Sequence, residues 1–254
     1  MRLALITRDC PRHYFLANKL LSNYLVDEIF IEKKNNNNII QSNHHNLNWN
    51  KAEDKFFGLS TKIIKNVNIL SHPINSIHSI NEIKEKNINN IVVFGSSILK
   101  KNFISSFPYI LNLHLGLSPY YRGTLSNLWP IYYKELSCIG STIHLIDEKI
   151  DSGNIISQCR PIFTELDSIH DISCKAILAG FNNLCKVIKQ FKELNNLNSF
   201  SLVKQQLDQG KLLLNKDMNE NVMKIIYSNF NLKLKNDYLK NKKLIDNNFP
   251  IVSN

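Results

Sequence analysis

What most restricts this chain is a succession of short, nearly unbroken apolar runs, each followed by a turn and a helix-period pattern. RLALIT at 2–7 is followed by Tyr14, Phe15, Leu16, Leu20 and Leu21 at helical spacing, and then by VDEIFIE at 26–32. Strand, helix and strand within about thirty residues form a right-handed crossover unit. The pattern continues with an amphipathic segment at 51–64, NVNIL at 66–70, a helix at 80–86, and the strongest strand signal, IVVFG, at 91–95. YILNLH at 109–114, a helix over 125–134, IGSTIHLI at 139–146 and NIISQCRPI at 154–162 follow. Runs apolar on both faces belong to strands covered on both sides, so the expected fold class is α/β with a doubly wound, mostly parallel, Rossmann-like sheet.

Ser168 with Asp171 three residues on predicts a capped start to a long helix. Ile169, Ile172, Ala176, Phe181, Leu184, Ile188 and Phe191 give that helix one apolar face. Beyond it the chain is more polar, with weak helical patterns at 220–227 and 232–240. The expected organisation is a catalytic domain at 1–194 and a mostly helical C-terminal appendage at 195–254 without a core of its own. The Asn-rich stretch 33–49, with His44 and His45, is expected to be a solvated insertion, because no Cys or further His has ligand spacing to that pair.

The net charge of +10 over 254 residues raises nucleic acid or an anionic substrate as partners. Lys is scattered, however, and no block of five or six like charges occurs. No run approaches the ~18 apolar residues of a membrane span, and the first ten residues are too short and too soon charged for a signal peptide, so a cytoplasmic protein is expected. Five cysteines with no CxxC spacing suit a reducing compartment and point to no metal.

Chemistry concentrates in one stretch. Four of the eight glycines, Gly116, Gly123, Gly140 and Gly153, fall within 112–153, alongside Asn112, His114, Arg122, His144 and Asp151. In a chain this poor in glycine, such clustering marks special backbone at strand ends, where open α/β sheets bind ligands. Asn112 and His114, two apart on a strand, project from one face, where an amide and an imidazole can together hold an oxygen gaining negative charge. Asp151 precedes a glycine turn and can bond the imidazole and raise its pKa. Amide, imidazole and carboxylate make an acyl-transfer site whose nucleophile must come from the substrate. Asn-x-His alone fits a satisfied strand end more often than a site; the surrounding sequence decides.

NLHLGLSPYYRG at 112–123 followed by GSTIHLIDEKIDSGNII at 140–156 resembles the signature of the 10-formyltetrahydrofolate-dependent formyltransferases, with order and spacing kept. The resemblance implies that Asn112, His114 and Asp151 are catalytic, with Asn112 and a protonated His114 holding the oxyanion and Asp151 aiding proton removal from the attacking amine. It further implies that Pro119 and Gly123 shape the acceptor side, and that His144 supports the strand before the aspartate loop. Phe94, Gly95, Ser96, Ser97, Ile98 and Leu99, with Asp147 and Glu148, would line a site for the co-substrate 10-formyltetrahydrofolate. No metal is implied. Ser118 replaces the family's usual Leu, and Gly116 stands where Ser is common.

Family members differ in their acceptor. The first turn, TRDCPRH, lacks the glycine cradle that glycinamide ribonucleotide formyltransferases use for a phosphate. The ~60 residues after the long helix are too few for the β-barrel of methionyl-tRNA formyltransferases, and strand one begins at Arg2, which leaves no room for the hydrolases' regulatory domain. The resemblance is therefore closest to the sugar N-formyltransferases, and the expected acceptor is a nucleotide-linked amino sugar, with methionyl-tRNA or glycinamide ribonucleotide as alternative acceptors and formyltetrahydrofolate hydrolysis as an alternative activity. Arg12, His13 and Arg122 would bind its acidic groups. A homodimer remains open; neither membrane nor nucleic acid is expected. The rival from another class is a nucleic-acid-binding or scaffold protein on a degenerate formyltransferase fold, against which the intact Asn112, His114 and Asp151 argue.

Overall fold

The computed structural model describes residues 1–33, 43–58, 66–194 and 200–253, with backbone alone for 43–48. The chain forms two compact units, Met1–Leu113 with Leu145–Lys149 and Leu184–Ser199, and His114–His144 with Ile150–Asn183 and Phe200–Asn254. No helix among the described residues is long and apolar enough to cross a membrane.

The first unit alternates as its sequence predicts: β1 (Leu3–Arg8), α1 (Pro11–Ser22), β2 (Glu28–Glu32), α2 (Asn43–Phe57), β3 (Val67–Ile69), α3 (Ile77–Glu85), β4 (Asn90–Val93), α4 (Lys101–Ile104) and β5 (Tyr109–His114). The five strands are parallel neighbours in the order β3-β2-β1-β4-β5. Ala4, Ile6, Phe30, Ile91, Val93 and Ile110 from the strands pack with Ile80 and Ile83 of α3 and Phe103 of α4. Burial of such side chains is worth about 1.5–3 kcal/mol each, which is why these runs become interior strands. α2 starts at Asn43, inside the stretch expected to be a solvated insertion. His44 and His45 thus stand on a helix, though their side chains and residues 34–42 lie outside the described residues. Residues 59–65, the end of the amphipathic segment, lie outside them as well.

In the second unit come β6 (Tyr121–Gly123), α5 (Trp129–Tyr132), β7 (Ser141–Leu145) and β8 (Ile155–Cys159). The main sheet has the strand order β3-β2-β1-β4-β5-β7-β8. β8 runs antiparallel to β7, because nine intervening residues cannot hold the crossover helix a parallel return needs. The helix expected over 125–134 is a single turn, since Leu125 and Lys134 adopt left-handed φ values of 53° and 60° and break it at both ends.

α6 (Ile169–Leu194) opens on a reciprocal cap, in which Asp171 N–H donates to Ser168 Oγ and Ser168 N–H to Asp171 Oδ2. All seven apolar positions read from its spacing are buried. Beyond it lie β9 (Lys211–Leu213), α7 (Glu220–Asn229), α8 (Leu232–Lys240) and α9 (Lys242–Asn247), and β9 pairs in parallel with β6.

The expectation of an appendage without a core is overturned. Met218, Ile226 and Tyr238 are buried in one cluster with Tyr121, Trp129, Ile131, Phe163 and Ile172. Their periodicity is weak because α8 also buries Lys235, whose ammonium donates to the carbonyls of Glu165 and Asp167. Ile226→Ala should therefore lower stability by about 2–5 kcal/mol, as a core truncation does. A urea unfolding curve close to that of the wild type would show instead that these helices are peripheral.

Candidate active site

The site is built on the end of β5 and the loops that follow. His114, the last residue of β5, is 6% exposed, and its Nδ1 lies 3.3 Å from Asp151 Oδ2. The other ring nitrogen, Nε2, lies 3.0 Å from the carbonyl of Tyr121. Asp151 Oδ1 is 3.5 Å from Nε2 of His144, an almost wholly buried residue of β7, and the Gly123 N–H donates to Asp151 Oδ2 at 3.0 Å. A single carboxylate thus lies between two imidazoles and a backbone amide.

The backbone that permits this is specialised. A Cβ on Gly116 would stand 2.5 Å from His114 Nε2 and 2.9 Å from the Tyr121 carbonyl oxygen. The absence of a side chain at this position lets the imidazole and that carbonyl meet. Gly123 has φ +94°, and a Cβ there would stand 2.1 Å from the Leu213 carbonyl oxygen. Asp151 itself adopts a left-handed φ of 47°, which aspartate tolerates better than most residues.

The electrostatics follow from this geometry. Burial alone pushes the Asp151 carboxyl up, but His114, the hydrogen-bonded His144 and the Gly123 amide together hold it well below the usual carboxylate range. Asp151 is ionised. Burial pulls the His114 imidazole below its ordinary value, helped by His144 and Arg122, and outweighs the upward pull of Asp151. This corrects the expectation of a standing imidazolium: the resting ring is neutral at pH 7. Both of its nitrogens nevertheless face oxygen acceptors, so in either neutral tautomer one nitrogen meets an oxygen without a proton between them. The arrangement is one that takes up a proton.

Of the other residues singled out, Asn112 sits half-buried on β5, two positions before His114 and in register with Val93 of β4. Pro119 is half-buried and follows a cis peptide bond from Ser118. Arg122 is buried, and its Nη2 donates to the Leu207 carbonyl at 3.3 Å while its Nε has no hydrogen-bond partner among the described residues. No carboxylate of the described residues lies within ion-pair distance of it, an arrangement that is costly unless an anion comes to it.

Arg12 and His13 do not fit the role expected of them. Arg12 is ion-paired to the buried carboxylate of Glu53 on α2 and lies over the Trp49 ring, so its charge is engaged within the first unit. His13 is 3% exposed, stacks on Phe94 at 4.5 Å and bonds Thr7 Oγ1 at 2.6 Å. Burial, reinforced by Arg12 and Arg8, holds it neutral.

In the segment 94–99, the Phe94 and Leu99 side chains are buried, which leaves their backbone to line a wall, while Gly95, Ser97 and Ile98 are exposed and Ser96 is half-buried. The Ser97 N–H is held by Glu32 Oε2 at 2.7 Å and the Ile98 carbonyl by Asn75 at 2.9 Å, which fixes the loop. In the same unit Asp147 and Glu148 are exposed, with Glu148 3.4 Å from Lys101. Sequence reasoning gave His144 a supporting place and did not anticipate its contact with Asp151. It missed Gln205 altogether, whose side chain reaches the Asp151 turn from a segment with no periodic signal.

Residues 41–188 match a family model described as formyl transferase. A methionyl-tRNA formyltransferase of Borreliella burgdorferi strain ZS7 is 34% identical over 119 residues, 45% of this chain and 37% of that protein. The chain therefore spans little more than a third of the length of the curated relatives it matches. Among solved structures, an N-formyltransferase of Helicobacter canadensis in complex with folinic acid and dTDP-3-aminofucose superimposes with a TM-score of 0.57 at 20% identity, covering 86% of this chain and 73% of that one. The phosphoribosylglycinamide formyltransferase of Anaplasma phagocytophilum gives 0.57 at 15% identity, covering 84% and 98%. At these identities the structural likeness speaks for the fold; the family model, matching more than half of the 254 residues and the whole of the His114–Asp151 site, establishes that the chain belongs to the formyl transferase family.

Proposed function

We propose that this protein transfers a formyl group from 10-formyltetrahydrofolate to the primary amine of a nucleotide-linked amino sugar. The observation that carries the reading is the ionised Asp151 between His114 and His144, a proton-handling centre with no nucleophile of its own. When bound, the folate supplies an electrophilic formyl carbon. The run 95–98, half-buried at Ser96 and otherwise exposed, with Ile98 70% exposed on a loop pinned by Glu32 and Asn75, offers backbone groups and an aliphatic surface suited to a flat heterocycle with hydrogen-bonding edges. Asp147 and Glu148 would face the same co-substrate.

In this reading the Asn112 amide and the His114 ring hold the oxygen that gains charge during attack. The neutral His114 would take up the proton the amine releases, the Asp151 carboxylate would stabilise the ring once charged, and the proton would pass to N10 of the folate as the bond between N10 and the formyl carbon breaks. Uptake relieves the nitrogen that meets an oxygen without a proton. Arg122 would supply the anchor for the acceptor's acidic group, because among the described residues its buried guanidinium is otherwise served by a single long hydrogen bond. Pro119 and Gly123, on the same loop, would shape the acceptor side. The Helicobacter canadensis enzyme was solved with a nucleotide-linked amino sugar and folinic acid, which supports this acceptor class for a chain of the same fold.

Three outcomes test the reading. Asn112→Ala should slow formyl transfer about 10²- to 10³-fold, and His114→Ala at least as much, with folate affinity by calorimetry little changed. Full activity in the His114 variant would remove the mechanism. With neutral His114 the active form, kcat/KM should fall as pH drops through a midpoint below the ordinary histidine value of ~6.5. Asp151→Asn removes the carboxylate that, with the Tyr121 carbonyl, draws this midpoint up, so the acid limb should move lower still as the rate falls; a move to higher pH would contradict the assignment. Arg122→Ala should raise the KM of a nucleotide-linked amino sugar by about 10- to 100-fold, the ~1.5–3 kcal/mol of a charged hydrogen bond, with folate affinity unchanged. Methionyl-tRNA and glycinamide ribonucleotide assayed alongside decide the acceptor: a higher kcat/KM for either would replace the amino sugar.

A further inference from the structure

Residues 203–213 form a strap of backbone pairings against the two loops that make the candidate site. Val203 and Ile155 exchange both backbone hydrogen bonds, at 2.8 and 2.9 Å. Further along, β9 pairs with β6, and the Lys211 N–H donates to the Tyr120 carbonyl at 2.8 Å. Between these anchors lies Gln205, 6% exposed. Its amide nitrogen donates to the Asp151 carbonyl at 3.0 Å and to the Gly153 carbonyl at 2.7 Å, and its Oε1 has no partner among the described residues.

We propose that Gln205 is a positioning residue for the Asp151 carboxylate, its side-chain amide clamping the left-handed turn that aims the carboxylate at His114 and His144. This rests on the formyl-transfer reading of the site. The direction of the Asp151 side chain is set by its own backbone, which sits at φ 47° in a region that non-glycine residues seldom occupy. Such a conformation persists where its surroundings over-determine it. Here both donors of one buried primary amide are used on the carbonyls of residues 151 and 153, across the turn from the carboxylate. Without the amide, two carbonyls lose their donor and the turn is free to relax, carrying the carboxylate away from the rings and from the Gly123 amide. Gln205 touches no reacting atom; it acts through Asp151.

The experiment uses the full chain with Gln205→Ala and Gln205→Glu. The second variant keeps the shape but offers at most one donor, the O–H of a protonated carboxyl, where the amide offers two. The exposed Lys204→Ala on the same strap is the control. Steady-state kinetics are measured with 10-formyltetrahydrofolate and a nucleotide-linked amino sugar, and the His114 ring is titrated by imidazole NMR. The groups that face His114 are Asp151, which draws its midpoint up, and His144 and Arg122, which push it down. Both Gln205 variants should lose about 10- to 100-fold in kcat, with the folate KM within about two-fold of wild type, as a misplacement of about 1 Å would cause. Their His114 midpoint should move to lower pH, and Lys204→Ala should match the wild type in both readouts.

Wild-type kcat with an unmoved midpoint in either folded Gln205 variant overturns the proposal. So does an equal loss in Lys204→Ala, which would assign the effect to the strap as a whole. Should the wild type transfer no formyl group to any acceptor, the formyl-transfer reading fails, yet the titration needs no turnover and still decides the positioning role: a lowered midpoint supports it and an unmoved one overturns it.

Discussion

An ionised carboxylate largely withdrawn from water is the constraint around which the second unit is arranged. Burial drives the Asp151 carboxyl toward its neutral form, and only donors aimed at both oxygens keep it charged. Those donors come from three places in the sequence: the end of β5, the strand β7, and the turn at Gly123. Each imposes its own backbone demand. Gly116 has no side chain because the His114 ring and the Tyr121 carbonyl occupy that space, and Gly123 adopts a φ closed to most residues where the Leu213 carbonyl approaches. Clustered glycines in a glycine-poor chain are the trace this arrangement leaves in the sequence.

The positive charges divide by what they are paired with. Arg12 is tied to Glu53, Lys175 to Asp167 and Lys242 to Asp246, so each belongs to the architecture. Arg122 is different, being buried with one carbonyl as its hydrogen-bond partner among the described residues. A protein does not hold a guanidinium in that state without loss of stability unless something compensates. In the proposed reaction an anionic acceptor group would supply the compensation; the net charge of +10 comes mostly from lysines scattered along the chain.

Much of the fold was legible because it rests on local patterns. The parallel strands of the first unit and the buried face of α6 follow from apolar spacing, and the cap at Ser168 follows from two residues three apart. What escaped depends on contacts distant in sequence. Lys235 looks solvated until its ammonium is seen on two carbonyls some seventy residues away, so the core formed with α7 and α8 left no clean period. Arg12 and His13 read as a basic helix start, yet the first is claimed by Glu53 and the second by the Phe94 ring. At the site, the residue types and their order were legible, but the protonation state of His114 was not. That state is a balance between burial and three charged neighbours, and spacing carries no information about burial.

That balance bears on how the proposed reaction would proceed. In the resting site Arg122 and His144 oppose protonation of His114 while Asp151 favours it, and burial tips the outcome to the neutral ring. An acceptor whose acidic group pairs with Arg122 would cancel one of the opposing charges, and expulsion of water would strengthen the remaining attraction to Asp151. The affinity of His114 for a proton would therefore rise when the amine arrives, at the step in which the amine must lose one. An acceptor lacking the acidic group would have neither the anchor nor this adjustment, so in the proposed reaction discrimination among amines would be expressed in the chemical step as well as in binding.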